Sequence, residues 1–288
     1  MDRFTDFYPR RVKEHNLAGL KGRAGFRFGE DDLLTADLAS LLSGVTYVFH
    51  LAGQAGVRGS WGSSFPVYAE NNIVATQRLL EAARGATVKK FVFASSSSVY
   101  GEAPALPTRE TTLPKPVSPY GVTKLAAEHL CSLYGRNFGV PTVSLRYFTV
   151  YGPRQRPDMA FYQFIRALLD GGELAVNGDG EQTRDFTYVA DIVAATLAAA
   201  EQEEPAADRV YNIGGGARVS VNEVINLLER ITKKSARIVR RPAQPGDARD
   251  TFADCSLARS GLRFSPAFDL QRGLQAEVAW LEQAHRND

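Results

Sequence analysis

Two short apolar runs frame the first half of the chain. Residues 45–51, VTYVFHL, close on Ala52-Gly53, and residues 88–94, VKKFVFA, close on four serines; both predict buried parallel strands. Between them, Pro66 to Ala83 places Val67, Ile73, Leu79 and Leu80 at helical spacing, which predicts a strand–helix–strand crossover. The rhythm then repeats. Tyr120 to Phe138 reads as an amphipathic helix, Gly139 as its stop signal, and Pro141 to Tyr147, PTVSLRY, as the next strand. The expected fold class is α/β, a doubly wound parallel sheet.

After about residue 150 the pattern changes. Gly152 to Gly180 is rich in Gly, Pro and Arg around one helix, Met159 to Leu169, and short strands and helices follow without the crossover rhythm. The expectation is a smaller α/β lobe over 151–288, with Asp191 to Glu201 and VYNI at 210–213 (about 186–213 in all) returning to the sheet formed by 1–150. Glu201 to Asp208, acidic with one proline, is expected to be a solvated loop.

Composition narrows the classes of function. At 288 residues and 44% hydrophobic the chain can bury a sizeable core. Its 34 basic and 32 acidic residues nearly cancel, so no overall field drives it onto nucleic acid or an anionic membrane, and any anion must be met locally. Cys131 and Cys255, in helix-like and strand-end contexts without CxxC spacing, fit a reducing compartment. No apolar run approaches the roughly 20 residues that span a bilayer, and the first residues are aromatic and charged, so the cytoplasm is the expected location. The four histidines, His15, His50, His129 and His285, lack metal-ligand spacing, and His50 reads as a buried strand residue.

The chemistry concentrates in Tyr120-Gly-Val-Thr-Lys124. Positions i and i+4 lie one above the other on a helix, so one face offers a phenol and an ammonium. A cation favours the phenolate, so Lys124 is expected to make Tyr120 a usable base. A third hydroxyl is available where Ser95, Ser96, Ser97 and Ser98 leave the strand, at the end of the sheet where parallel α/β folds place ligand crevices.

These stretches, with VFHLAGQAGVRGSW, RYFTVYGPRQRPDMAF, NGDGEQTRDFTYVADI, YNIGGG and RPAQPGDARDTFAD, resemble the extended short-chain dehydrogenase/reductase family, and within it the nucleotide-sugar epimerases and dehydratases. The resemblance spans nearly the whole chain and implies a Rossmann-type sheet, NAD as cofactor and a homodimer through the helix that carries Tyr120. It implies Tyr120 as general base, Lys124 as its electrostatic partner and nicotinamide-ribose ligand, and Ser96, or failing it Ser97, as the hydroxyl on the substrate oxygen. It also implies cofactor contacts at Ala52, Gly53, Asn72, Tyr147 and Phe148, and diphosphate contacts at Arg184 and Arg249.

Relatives that dehydrate or decarboxylate carry carboxyl groups where this chain has Ser97 and Ser98, which leaves C4 epimerisation through a transient 4-keto sugar. The block around Thr149 resembles epimerases that act on UDP-glucuronate, so Ser97, Ser98 and Thr149 are expected to hold a carboxylate, with Arg156 near the sugar and diphosphate. The expected reaction is UDP-glucuronate to UDP-galacturonate. Open alternatives are a neutral UDP-sugar 4-epimerase, a UDP-glucuronate decarboxylase, and a catalytically impaired NAD or nucleotide-sugar binding relative.

The family's fold opens with a strand, a GxxGxxG turn and a helix. Gly19, Gly22 and Gly25 have that spacing but follow a helix-like stretch and precede Phe26-Arg27-Phe28, which reads as a strand, so they are expected to form an ordinary loop. Met1 to Phe4 resembles the end of the family's second strand, with Asp2 on the adenosine ribose and Asp32 near adenine. This implies that roughly 30 residues of strand, turn and helix are missing. Two apolar strand edges should then be exposed and NAD bound poorly.

Overall fold

The computed structural model describes residues 1–202 and 209–286, so most of the expected loop at Glu201 to Asp208 lies outside the described residues. Four strands form the central sheet: β1 (Tyr47–His50), β2 (Lys90–Ser96), β3 (Thr142–Tyr147) and, later in the chain, Arg209–Ile213. All neighbours pair in parallel, in that order, with Ser96 level with Tyr147 and Tyr147 level with Ile213. Every strand therefore ends on the same side.

Alternation along the strands supplies two cores. Phe91 and Phe93 face one side, packing with Leu79, Leu80, Ala127 and Cys131. Val92, Val143 and Leu145 face the other, against Ile192, Ala195 and Ala199. Helices thus cover both faces, as a doubly wound sheet requires. Further along the chain a third core joins the helices Ala160–Asp170, Val221–Thr232 and Leu270–Arg286 to a parallel pair, Glu173–Asn177 with Arg237–Arg241.

The expected crossover helix forms with an irregularity. An α-turn at Phe65–Tyr68 passes through a π-helical stretch, Ala69–Val74, into α-helix Ala75–Arg84. The wider turn rotates the buried stripe, so Tyr68, Asn72 and Thr76 go inward and Val67, expected in the core, is 42% exposed.

Other expectations need correction. β1 is buried on one face only: Val48 and His50 point inward, whereas Tyr47 and Phe49 are each 40% exposed. Its outer edge pairs with no strand among the described residues. The second expected edge does not form, because Met1 to Phe4 is irregular and Phe4 has a φ of 51°. Phe26 to Phe28 is likewise no strand. An extended segment without a ladder partner leaves its backbone groups to other bonds, and here Asp2 N donates to Gly29 O. The glycine spacing at 19–25 falls in turns that follow helix Arg10–Ala18, as expected of a loop. Cys255 precedes helix Ser256–Leu262 instead of ending a strand, and both cysteines are free and buried. His50 is buried as expected, its Nε2 2.8 Å from Thr76 Oγ1, and burial lowers its pKa to about 3.

Candidate active site

The longest helix among the described residues, Pro119–Phe138, begins where its sequence dictates. Ser118 caps it by accepting from Gly121 N at 3.1 Å, Pro119 occupies its first turn, and Gly139 ends it at a φ of 70°. Gly121 is required by proximity. A Cβ there would come 2.5 Å from Ser98 O, so only glycine lets the first turn rest on the serine run. That contact brings Tyr120 to Ser96.

Tyr120 is half-buried, its ring 6.4 Å from that of Tyr68. Burial raises the phenol pKa, whereas the Ser96 hydroxyl and the Arg156 guanidinium pull it down. The Lys124 amine turns to the strand ends, where Nζ donates to Ala94 O at 2.9 Å and lies 5.1 Å from the Phe93 ring centroid. Burial lowers its pKa to about 8. Ser96 Oγ donates to Ser98 Oγ and accepts from Ser98 N, both at 3.2 Å, so the turn that follows holds the hydroxyl in place.

The cofactor side is assembled beyond β1. Ala52 and Gly53 are exposed at its C-terminal end, and a Cβ on Gly53 would lie 3.5 Å from Lys124 Nζ and 2.8 Å from Asn72 Oδ1. A bare backbone beside an ammonium that has three donors and spends one on Ala94 O suits the vicinal hydroxyls of a nicotinamide ribose. The residues present therefore fit NAD at this end.

Asn72 and Phe148 are both buried. Asn72 is buried with both amide hydrogens engaged: it accepts from Gln54 N at 2.7 Å and donates to Gln54 O and Thr123 Oγ1. It clamps the Gly53 loop to the helix that carries Tyr120. Phe148 is 1% exposed in the sheet core, so its side chain cannot border the nicotinamide. Tyr147 is half-buried with its hydroxyl 2.7 Å from Thr196 Oγ1. Asp2 accepts from Phe4 N, and Asp32 from Leu34 N and Arg3. Neither makes a described contact with Tyr120, Lys124 or Gly53.

On the substrate side, Ser97 and Ser98 sit half-buried in a tight turn after β2, and Thr149 lies half-buried just past the end of β3, the adjacent strand. Arg156 bonds Asp158 at 3.0 and 3.1 Å and stacks 5.6 Å from the Phe7 ring centroid. Arg184 Nη1 donates to the carbonyl of Arg249 at 2.8 Å, which joins the two expected phosphate ligands through the backbone. The Arg249 guanidinium itself turns to Asp179 at 3.2 Å and is 60% exposed.

Sequence reasoning missed a further cation, Arg58. Arg58 bonds Asp247 at 2.7 Å and is felt electrostatically by Arg184. With the Asn177 amide oxygen turned toward it, Arg58 also donates there at 2.8 Å. Its position in the loop after β1, at the sheet's ligand end, was the available signal. Gly246 seals this side against the catalytic helix, since a Cβ there would lie 3.2 Å from Ser118 and 3.4 Å from Trp61 Nε1.

A doubly wound parallel sheet with a serine, tyrosine and lysine at its carboxyl end defines a nicotinamide-dependent extended short-chain dehydrogenase/reductase. The chain matches the NAD dependent epimerase/dehydratase family over residues 5–214 and belongs to it. It is 46% identical over 288 residues to an uncharacterized UDP-glucose epimerase of Bacillus subtilis, covering 100% of this chain and 90% of that one. It is 35% identical to the UDP-glucuronate 4-epimerase of Thermodesulfobacterium geofontis, over 97% of this chain and 87% of the relative. Among solved structures, a UDP-glucuronic acid 4-epimerase from Bacillus cereus, in complex with UDP-glucuronic acid and NAD, superposes with a TM-score of 0.96 at 46% identity. That match covers 98% of this chain and 90% of the other.

Proposed function

We propose that the protein catalyses NAD-dependent C4 epimerisation of a UDP-sugar, with UDP-glucuronate and UDP-galacturonate as the pair interconverted. The observation that carries this reading is that Tyr120 and Lys124 on one helix stand at the carboxyl end of β2 beside Ser96, where the turn that follows supplies the Ser97 and Ser98 hydroxyls and no carboxyl group. A base without a second proton-transferring acid suits removal and return of hydrogen at one carbon, and neither elimination nor decarboxylation.

Tyr120 takes the proton of the C4 hydroxyl as the C–H bond to the same carbon breaks, and gives it back when the ketone is reduced from its other face. When bound, NAD supplies the hydride acceptor and donor, and its cationic ring adds to the field that lowers the phenol. Ser96 donates to the C4 oxygen. Lys124 holds the ribose side, while Ala52 and Gly53 offer backbone to the nicotinamide half and Asp2 and Asp32 serve the adenosine half. Ser97, Ser98 and Thr149 orient the sugar carboxylate by hydrogen bonds, and Arg156 stands beside the sugar and diphosphate. Arg184, Arg249 and Arg58 converge where a diphosphate would lie. In this reading residues 1–150, completed by 186–213, hold NAD, and 151–288 hold the nucleotide-sugar.

The homodimer is proposed through the catalytic helix and its neighbour Ala75–Arg84, since Val122 and Leu133 on the first and Val74 just before the second are 45–52% exposed. Among the described residues no helix is long and apolar enough to cross a membrane. The two free, buried cysteines support a reducing compartment such as the cytoplasm.

The test is to incubate the protein with UDP-glucuronate and NAD and separate the products. UDP-galacturonate is expected. Carbon dioxide release with a pentose product would replace this reading by decarboxylation, and turnover of UDP-galactose alone by a neutral-sugar epimerase. In the same assay, Arg249→Ala should raise KM for the UDP-sugar roughly tenfold, the worth of one charged hydrogen bond, with kcat little changed. Because the side chain is exposed, Tm should not move; an unaltered KM would remove Arg249 from the diphosphate site.

A further inference from the structure

Behind the catalytic tyrosine the same helix carries a second set of polar groups that the reaction does not use. Tyr120, Lys124 and Glu128 follow one another at intervals of four, so Glu128 lies on the same stripe one turn deeper. Its side chain and that of Arg146 are each 6% exposed, and they form a two-pronged ion pair, with Arg146 Nε 3.0 Å from Glu128 Oε2 and Nη2 on Oε1. Burial alone would disfavour the guanidinium charge, but the bonds to Glu128 more than offset this and raise its pKa above the ordinary arginine value.

The pair reaches the elements that bear Ser96, Tyr120 and Lys124. Glu128 accepts from Ser95 Oγ at 2.8 Å, the residue preceding Ser96 on β2. Arg146 precedes Tyr147 on β3 and donates to Tyr100 Oη at 2.7 Å, in the turn that follows Ser97 and Ser98. Tyr100 in turn donates to Asn212 Oδ1 at 2.7 Å on the fourth strand. A plain apolar packing of helix on sheet would leave rotation and slide of the helix weakly determined. A bidentate arginine–carboxylate fork is directional and permits one register.

We infer that the buried Glu128–Arg146 pair, with Ser95 and Tyr100, is a positioning device that sets the register of the Tyr120–Lys124 helix against the Ser96 strand end. The two residues act through others and touch neither sugar nor cofactor. Burying an ion pair stabilises a fold little compared with apolar replacements, so placement of the site is the stronger reason for its presence here. The inference rests on the epimerase reading, and the two can fail separately.

The test compares the unmodified protein with Glu128→Gln and with the double variant Glu128→Gln/Arg146→Met, in which no buried charge is left unpaired. Tm is measured for each, and kcat is referred to the folded fraction well below Tm. Glu128→Gln alone should lower Tm, and the double variant should recover most of it. Positioning predicts that kcat stays down about 10- to 100-fold in both variants, because a shift near 1 Å in reacting groups costs that much. KM for the UDP-sugar should change little, since Arg184 and Arg249 lie on other elements. A kcat that recovers with Tm in the double variant, or that is unchanged in Glu128→Gln, overturns the inference. Absence of epimerisation by the unmodified protein would instead overturn the reading it rests on.

Discussion

Tyr120→Phe is expected to lower kcat about 1000-fold while leaving KM for the UDP-sugar and the affinity for NAD within a small factor. The substitution deletes one oxygen and keeps the ring, whose packing against Tyr68 does not involve the hydroxyl. Removal of a positioned general base costs roughly 10²- to 10⁴-fold, and no other side chain stands ready to substitute. Lys124 is engaged with Ala94 O, and the Ser96 hydroxyl is held by Ser98. The ring is half-buried and burial disfavours its charged form, so the variant should be no less stable than the parent. Single-turnover and steady-state rates, with a binding isotherm for NAD, check this. Activity within about threefold of the parent would move the base elsewhere and undo the assignment of the site.

The second large effect concerns stability. Glu277 lies in helix Leu270–Arg286, is 0% exposed, and neither of its carboxyl oxygens has a hydrogen-bond partner among the described residues. Burial pushes its pKa from 4.5 up to about 8, with the Gly152 backbone acting in the opposite direction. Below pH 4.5 the carboxyl is protonated in folded and unfolded chains alike, and its contribution to stability is at its fullest. As pH rises from there toward about 8, the unfolded chain releases the proton and the folded one keeps it. Stability then falls by about 1.4 kcal/mol per pH unit, and the loss levels off above the folded pKa. At neutral pH this amounts to about 3 kcal/mol.

Glu277→Gln carries a similar neutral polar burden without the titration. It should therefore match the parent near pH 4.5 and be more stable by about 3 kcal/mol at pH 7. Urea unfolding of both proteins at pH 5, 7 and 8.5 measures the difference directly. A gap between them that does not widen with pH would show that Glu277 ionises normally in the folded chain.

How much of this was legible in the residues follows from the range over which each interaction acts. The catalytic helix was readable to within a residue, because Ser118, Pro119 and Gly139 act on their own neighbours in the chain. β2 and β3 were equally plain, since their apolar runs are buried on both faces. The pairing of Tyr120 with Lys124 on one stripe, and the serine run at a strand end, are likewise local facts.

Roles that depend on contacts distant in sequence were not legible. Asn72 was expected to face NAD, and both its amide hydrogens go to Gln54 and Thr123, the latter 51 residues away. Phe148 next to Tyr147 looked like a cofactor neighbour and is core, because the chain turns there to put it under Tyr100. That Lys124 also bonds the Ala94 carbonyl, 30 residues back in the chain, could not be read from the helix. Arg58 joins Arg184 only because the loop after β1 and the segment around Asp247 meet across 189 residues of chain.

By itself, then, the sequence determined the local periods: the extent of the helix that carries Tyr120, the burial of β2 and β3, and that a phenol, an amine and hydroxyls share one end of a parallel sheet. The tertiary structure alone decided the partners, including the Glu128–Arg146 fork, the orphaned Glu277 and the half-exposed β1. Propensity and capping act within a turn or two of the chain, whereas the choice of neighbour for a buried polar group is made by whichever element packs over it.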